Sequence, residues 1–418
     1  MHGCTITTSR YAAHARVLAE SFLAHNPGAR FAVLAIDGAP RTPTPDGERR
    51  ETPASTGEQR ETPTYTRDQR ETRALTGKQR ETPASTRERR ETPASTGEQR
   101  LETLAPADIG IDAQELSRRA TVYPALGLAC SLKPNLMLAL LARGYGPVLF
   151  LDADSCVYGD LTHVAELAQR HSLVLSPHSP EEHPLWRVSS PEQEFIRAGV
   201  MNAGFLGAGG GARAFLQWWA ERTARRCLLD APHGLLLDQT WLTFAMALFE
   251  HHVLRDRGCN VAGWNLHTRD VQWEGDAPRI DGEPLRHFHF ACGYDPEHPE
   301  RLTAQEHAHW WPTLQERPGV ARLSREYAER LIAHGHREAR AKTQAFDALP
   351  GGGQIEPRVR AVYREALLEA ELDGAEEPPN PFSDGEPRFH EWLVQRASEH
   401  LESQPAAMRG HSGEPGDR

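Results

Sequence analysis

Residues 148–154 read Val-Leu-Phe-Leu-Asp-Ala-Asp. An unbroken apolar run stays inside a sheet until its last residue. Asp152 and Asp154 therefore fall at the carboxyl end of a strand, where open α/β sheets place their ligands. Two ionised carboxylates one residue apart repel each other unless a cation or bound donors compensate. A divalent metal holding a diphosphate is the simplest compensation, and a solvated loop is the bland alternative. The other parts the chain supplies decide between them.

Four such parts follow. Met-Asn-Ala-Gly-Phe-Leu-Gly at 201–207 sets Asn202, Ala203 and Gly204 into an apolar strand. Small residues let the backbone approach a ligand, and Asn offers donor and acceptor together; a tight packing corner would use the same residues. Residues 236–242 place Asp238 and Gln239 in an apolar run, where Asp238 also has the position of a helix N-cap. Arg286-His287-Phe288-His289-Phe290 alternates at strand period, so His287 and His289 share a face as candidate ligands or as core histidines. Lys133 lies on the helix before the Asp-x-Asp strand, placed to neutralise a phosphate, to hold Asp152, or to be solvated.

The elements that position these residues are legible in part. Residues 3–37 read strand, helix, strand. Residues 11–25 carry Ala15, Leu18, Ala19 and Phe22 on one helical face, Asn26-Pro27-Gly28 breaks the helix, and 31–36 is a buried-type strand ending at Asp37. Helices are expected at 112–119 and 131–143, and helical and strand-like segments alternate to about Tyr294. Beyond Pro296, segments 323–342 and 356–373 look helical and rich in Arg and Glu, separated by Leu349-Pro350-Gly351-Gly352-Gly353.

From about residue 42 to 100 a unit of about ten residues repeats, with Arg-Glu-Thr-Pro beginning at Arg50, Arg60, Arg80 and Arg90. Its near-absence of apolar residues leaves too little burial to offset the entropy of ordering. A disordered insertion within one domain is expected, because the α/β pattern resumes after it. The low mean hydropathy, −0.59, fits a normal core diluted by such a segment.

Over 418 residues the net charge is −11, which argues against general attraction to nucleic acid. No stretch approaches the roughly 20 apolar residues of a membrane span, and a secretory leader is not expected at the N-terminus. Six scattered cysteines without Cys-x-x-Cys suit reduced cytoplasmic thiols.

Together the motifs resemble glycosyltransferase family 8 and its bacterial relatives over about 1–41 and 101–295. Thr8-Ser9-Arg10-Tyr11-Ala12-Ala13-His14 is similar to the family's first strand-helix unit, Phe150–Leu151–Asp152–Ala153–Asp154 to its metal motif and Asn202-Ala203-Gly204 to its donor-sugar segment. Asp238-Gln239, Trp264-Asn265 and His289-Phe290 match later steps. The resemblance implies a GT-A fold: α/β, Rossmann-like, with a mixed, mainly parallel sheet flanked by helices. It implies a catalytic domain over 1–300, interrupted by the repeat insertion; a helical extension at 301–405 and a disordered tail at 406–418 would follow. It implies transfer of a hexose from a nucleotide sugar, most simply a UDP-sugar, to a glycan, lipid-linked or protein acceptor, with retention of configuration. Tyr11 and Thr8 would meet the nucleotide. Lys133, Asp152, Asn202, Ala203, Gly204 and Asn265 would contact the donor, and Asp238 and Gln239 would stand at the anomeric centre. Asp152, Asp154 and His289 would hold the metal; oxygen ligands with one imidazole suit Mn²⁺, then Mg²⁺. Gln is a poor nucleophile, which favours front-face attack over a covalent intermediate.

The chain departs from the family where a Lys follows the late His. Here 292–296 read Cys-Gly-Tyr-Asp-Pro, and Arg286 or Lys133 are the candidate replacements. Two other readings stand beside this one. A haloacid-dehalogenase-type phosphatase also uses a strand ending in Asp-x-Asp, and a nucleotide-sugar-binding scaffold would keep the site without turnover.

Overall fold

The computed structural model describes residues 1–38, 100–183, 191–303 and 311–403. These belong to one compact unit, residues 1–40 and 96–418; a second unit, 41–95, lies outside the described residues. So do residues 42–99 of the insertion expected at 42–100, and the tail expected at 406–418. Arg100, expected as the end of the insertion, is instead anchored. Its guanidinium donates to the carbonyls of Leu23, Asn26 and Ala29 at 3.0, 2.9 and 2.9 Å.

The expected mixed sheet with helices on it is present. Strand β1 (His2–Thr7), helix α1 (Ala12–His25) and β2 (Arg30–Ala35) form the opening β-α-β unit, and β3 (Leu101–Leu104) pairs beyond β2. Helix α1 stops where Asn26 turns its side chain back, donating to Phe22 O at 2.8 Å while accepting from Leu161 N at 2.9 Å; Gly28 supplies the φ of +81° that the turn needs.

Helices α2 (Ala113–Val122) and α3 (Ala125–Ala142) lead to β4 (Val148–Leu151), which pairs parallel with β1. Helix α3 starts earlier than expected because Pro124 takes the N-cap position and Gly127 does not interrupt it. It is also long and apolar enough, by length and composition alone, to cross a membrane, which corrects the expectation that nothing approaches a span. Here it is a core helix against β1, with Leu128, Leu132, Leu136 and Leu140 fully buried.

Next come β5 (Ser155–Val157), α4 (Thr162–His171), β6 (Leu173–Pro177), α5 (Pro191–Ala198), β7 (Met201–Ala208) and α6 (Arg213–Arg226). The hairpin β8 (Leu229–Asp230) and β9 (Leu235–Leu236) precedes α7 (Leu242–Leu248), β10 (His252–Val253) and β11 (Val261–Ala262). A meander of β12 (Val271–Glu274), β13 (Ala277–Ile280) and β14 (Glu283–Pro284) leads to β15 (His287–His289). Among the described residues the main sheet has the order β10-β6-β7-β4-β1-β2-β3, and a small sheet has the order β11-β15-β5. Only β7 runs antiparallel to its main-sheet neighbours.

The region after 300 is helical as expected. Helices α8 (Pro318–Ala333) and α9 (His336–Arg340) are separated at Gly335, whose φ is +79°. Helices α10 (Pro357–Asp373) and α11 (Glu386–Ser403) follow. Tyr363, Leu367 and Phe389 join the core that contains β1 and β4 residues. Arg360, buried on α10, donates to the Ala120 and Tyr123 carbonyls, both at 2.7 Å.

Candidate active site

The chain leaves the main sheet at Leu151, turns through Asp152-Ala153-Asp154 and enters the small sheet at Ser155. The two acidic residues therefore sit on the seam between sheets. Asp152 N donates to Gly204 O at 2.8 Å, so β7 brings its first residues to the carboxyl end of β4. On the other side Phe290 N donates to Asp154 O at 2.8 Å, and the register pairs His289 with Ser155. This double pairing puts His289 Nε2 3.0 Å from Asp154 Oδ1 and 3.8 Å from Asp152 Oδ2.

One ligand atom from each of Asp152, Asp154 and His289 lies within 4.8 Å of the others. Burial would raise the Asp154 carboxyl, but the neighbouring imidazole holds it below its usual range. Burial would lower His289, and Asp154 instead raises it. Gly204 makes the close packing possible: a Cβ there would stand 2.5 Å from His289 Cε1 and 2.6 Å from Asp152 Oδ2. His287 does share a face with His289 but takes the core role. It stacks on Phe205 with ring centroids 4.5 Å apart, and burial pushes its pKa well down.

Lys133 is buried on α3 and forks between two carboxylates, Asp152 Oδ1 at 3.0 Å and Asp238 Oδ2 at 3.1 Å. It also donates to Ala203 O at 3.2 Å. Desolvation opposes its charge, but the two acids hold its pKa well above normal. Asp238 precedes the short 3₁₀ turn Gln239–Trp241 yet makes no side-chain cap bond. Its carboxyl faces Lys133 instead, with burial pushing its pKa up against that cation. Leu237 just before it has a φ of +53°, a left-handed conformation uncommon outside glycine.

Gln239 spends both ends of its amide. Its Oε1 accepts from Ala203 N at 3.1 Å and Asn202 Nδ2 at 3.3 Å, and its Nε2 donates to Ala198 O at 2.9 Å. Asn202 Oδ1 accepts from Gly204 N at 3.0 Å. Asn265 lies apart from this knot. Its side chain binds the backbone of Ala262, His178 and Asn260 and so fixes the turn after β11.

A cavity of about 380 Å³ opens over this floor, within the range of small-molecule sites, about 300–1,000 Å³. Thr8, Tyr11, Lys133, Asp152 and Asp154 line it; Asn202, Ala203, Gly204, Asp238, Gln239 and His289 form the layer behind. The turn Ser9–Tyr11 is tied to the end of β2, with Ser9 N 2.9 Å from both Asp37 carboxylate oxygens. Burial and then Asp154 raise the Tyr11 pKa, against Arg340 and Arg10. Arg10, Arg340, Gln344 and Asp347 also line the cavity, and the sequence reading missed them. Arg10 adjoins Tyr11 in the first strand-helix unit; the other three follow no local motif.

Arg286 is engaged elsewhere. Its Nε meets Asp256 Oδ2 at 3.0 Å, and its Nη1 meets Asp160 O at 3.1 Å. Asp256 also belongs to a second close group with His163 and Cys259, where the Arg286 cation already answers its charge.

No family model and no curated relative matches the chain. Among solved structures it is similar to the galactosyltransferase LgtC in complex with donor and acceptor sugar analogs, at 14% identity over 79% of this chain and 95% of that one, with a TM-score of 0.39. It is also similar to the glycosyltransferase GlyE of Streptococcus pneumoniae TIGR4, at 12% identity over 82% of this chain and 65% of that one, with a TM-score of 0.38.

Proposed function

We propose that this chain is a metal-dependent glycosyltransferase with a GT-A-type site. It moves a hexose from a nucleoside diphosphate sugar, with uridine as the base, to a glycan, lipid-linked or protein acceptor. The observation that carries the reading is the convergence of Asp152, Asp154 and His289 at one end of a cavity that Lys133 and Tyr11 also line.

The residues present fit a divalent cation. Two carboxylates from the turn after β4 and an imidazole from β15 converge, and Gly204 leaves no room there for a side chain. Mn²⁺ or Mg²⁺ held by this trio would supply Lewis-acid stabilisation of the charge that grows on the leaving diphosphate.

The chain's own residues do the rest. Tyr11 presents a ring for the nucleobase. Lys133, charged and fixed by two acids, contributes positive potential at the diphosphate end. Asp238 and Gln239 act from behind the cavity, Asp238 by holding Lys133 and Gln239 by clamping Asn202 and Ala203 under the sugar. Gln239 is a poor nucleophile with both amide ends occupied, which supports front-face attack over a covalent intermediate. Asn265 keeps the turn beside His289 in place. All six thiols are unpaired, which supports a reducing, cytoplasmic setting.

The test is release of UDP from a panel of UDP-hexoses with Mn²⁺ and candidate acceptors. Turnover with at least one donor is expected. Silence with every donor, together with phosphate release from a simple phosphomonoester, would replace this reading with a phosphatase.

A further inference from the structure

We propose that residues 340–347, from the helical region after 300, form the wall of the cavity that recognises the nucleoside half of the donor, with Gln344 as the contact residue and Arg340 as a positioning residue for Tyr11. The proposal rests on the donor reading above and deepens it.

Three observations carry it. First, polar atoms shielded from solvent at this cavity have no hydrogen-bond partner among the described residues: Thr8 Oγ1, Arg10 Nε and Gln344 Nε2. Buried polar groups are normally satisfied; these three are withdrawn even from water, so a ligand in the cavity meets them when the lining side chain turns towards it. A side-chain amide presents donor and acceptor side by side, the pattern that the edge of a nucleobase offers in return.

Second, the segment is held in place rather than draped. Helix α9 packs on the Ser9–Tyr11 turn, with Arg340 beside the Tyr11 hydroxyl. At the other end Asp347 Oδ1 accepts from Ala125 N at 2.9 Å, at the start of the helix that carries Lys133. Arg360 Nη2 fixes Phe346 O at 3.1 Å.

Third, Phe346 is left-handed, with a φ of +65°. Non-glycine residues keep such a conformation where the surroundings impose it, and these positions gather at ligand clamps.

Calorimetric titration of the full chain with UDP, and separately with pyrophosphate, both with Mn²⁺, tests this. Gln344→Ala is expected to weaken UDP about tenfold or more, the scale of one buried hydrogen bond, while pyrophosphate binds as in the parent. Arg340→Ala is expected to weaken UDP as well, through a freed Tyr11 ring. Both variants should melt within a few degrees of the parent. Unchanged UDP affinity in both variants, with the parent binding UDP, would overturn the proposal and leave the donor reading intact. Absence of any UDP binding by the parent would overturn both.

Discussion

Lys133 Nζ lies 3.1 Å from Asp238 Oδ2, and both side chains are almost fully withdrawn from water, 5% and 3% exposed. A second acid, Asp152, shares the same ammonium at 3.0 Å. One buried cation thus couples the Asp-x-Asp turn of β4 to the turn before α7.

Removing one partner of such a pair leaves an uncompensated buried charge, a loss of about 3–5 kcal/mol. Lys133→Met should therefore unfold at clearly lower urea concentration than the parent. Adding Asp238→Leu should recover a large part of that loss while leaving the enzyme inactive. A double-mutant cycle in urea measures it; purely additive losses would show that the pair is not coupled.

Gly204→Ala should damage cation binding without touching any ligand. The new methyl would meet Asp152 Oδ2 at 2.6 Å and His289 Cε1 at 2.5 Å, which forces the ligands apart. Mn²⁺ affinity should drop by at least about tenfold, some 1.4 kcal/mol. Parent-like Mn²⁺ binding in this variant would place the cation elsewhere.

Acid should destabilise the fold before most carboxylates titrate. His2, His14 and His178 are buried, and desolvation leads in lowering each from 6.5 to about 4. Glu102 lies 3.5 Å from His2, but burial and the Arg30 charge outweigh that contact. Between about pH 6.5 and 4 the unfolded chain binds more protons than the folded one, so this contribution is full above 6.5 and is lost as pH falls towards 4. At about 1.4 kcal/mol per unit the loss reaches a few kcal/mol per histidine at most. Urea midpoints from pH 7 to 4 should fall steadily, and His2→Phe, which keeps the stack on Tyr145, should flatten part of the slope. A midpoint that stays constant down to pH 4 contradicts this.

The parts of the site read from sequence are those with local grammar. An apolar run ending in Asp152 marks its own strand end, and period-two alternation places His289 on one face. The partners of those residues depend on pairing across the fold. The place of Lys133 on the helix before β4 suggests a hold on Asp152, but nothing near it says that Asp238 shares the ammonium, and nothing near His287 says that it will stack on Phe205. The same limit hid Arg340 and Gln344, brought to the cavity only because α9 docks on the Ser9–Tyr11 turn. Arg100 shows the converse: its letters belong to the repeat, while its three carbonyl partners belong to the fold.

The central claim is that Asp152, Asp154 and His289 hold a cation that a nucleoside diphosphate needs. Titration of UDP into the protein with and without Mn²⁺, beside Asp154→Ala, tests it most directly. The account predicts binding that requires Mn²⁺ and vanishes in the variant while its melting temperature stays near that of the parent. UDP binding of equal strength without Mn²⁺, or undiminished in Asp154→Ala, would contradict it.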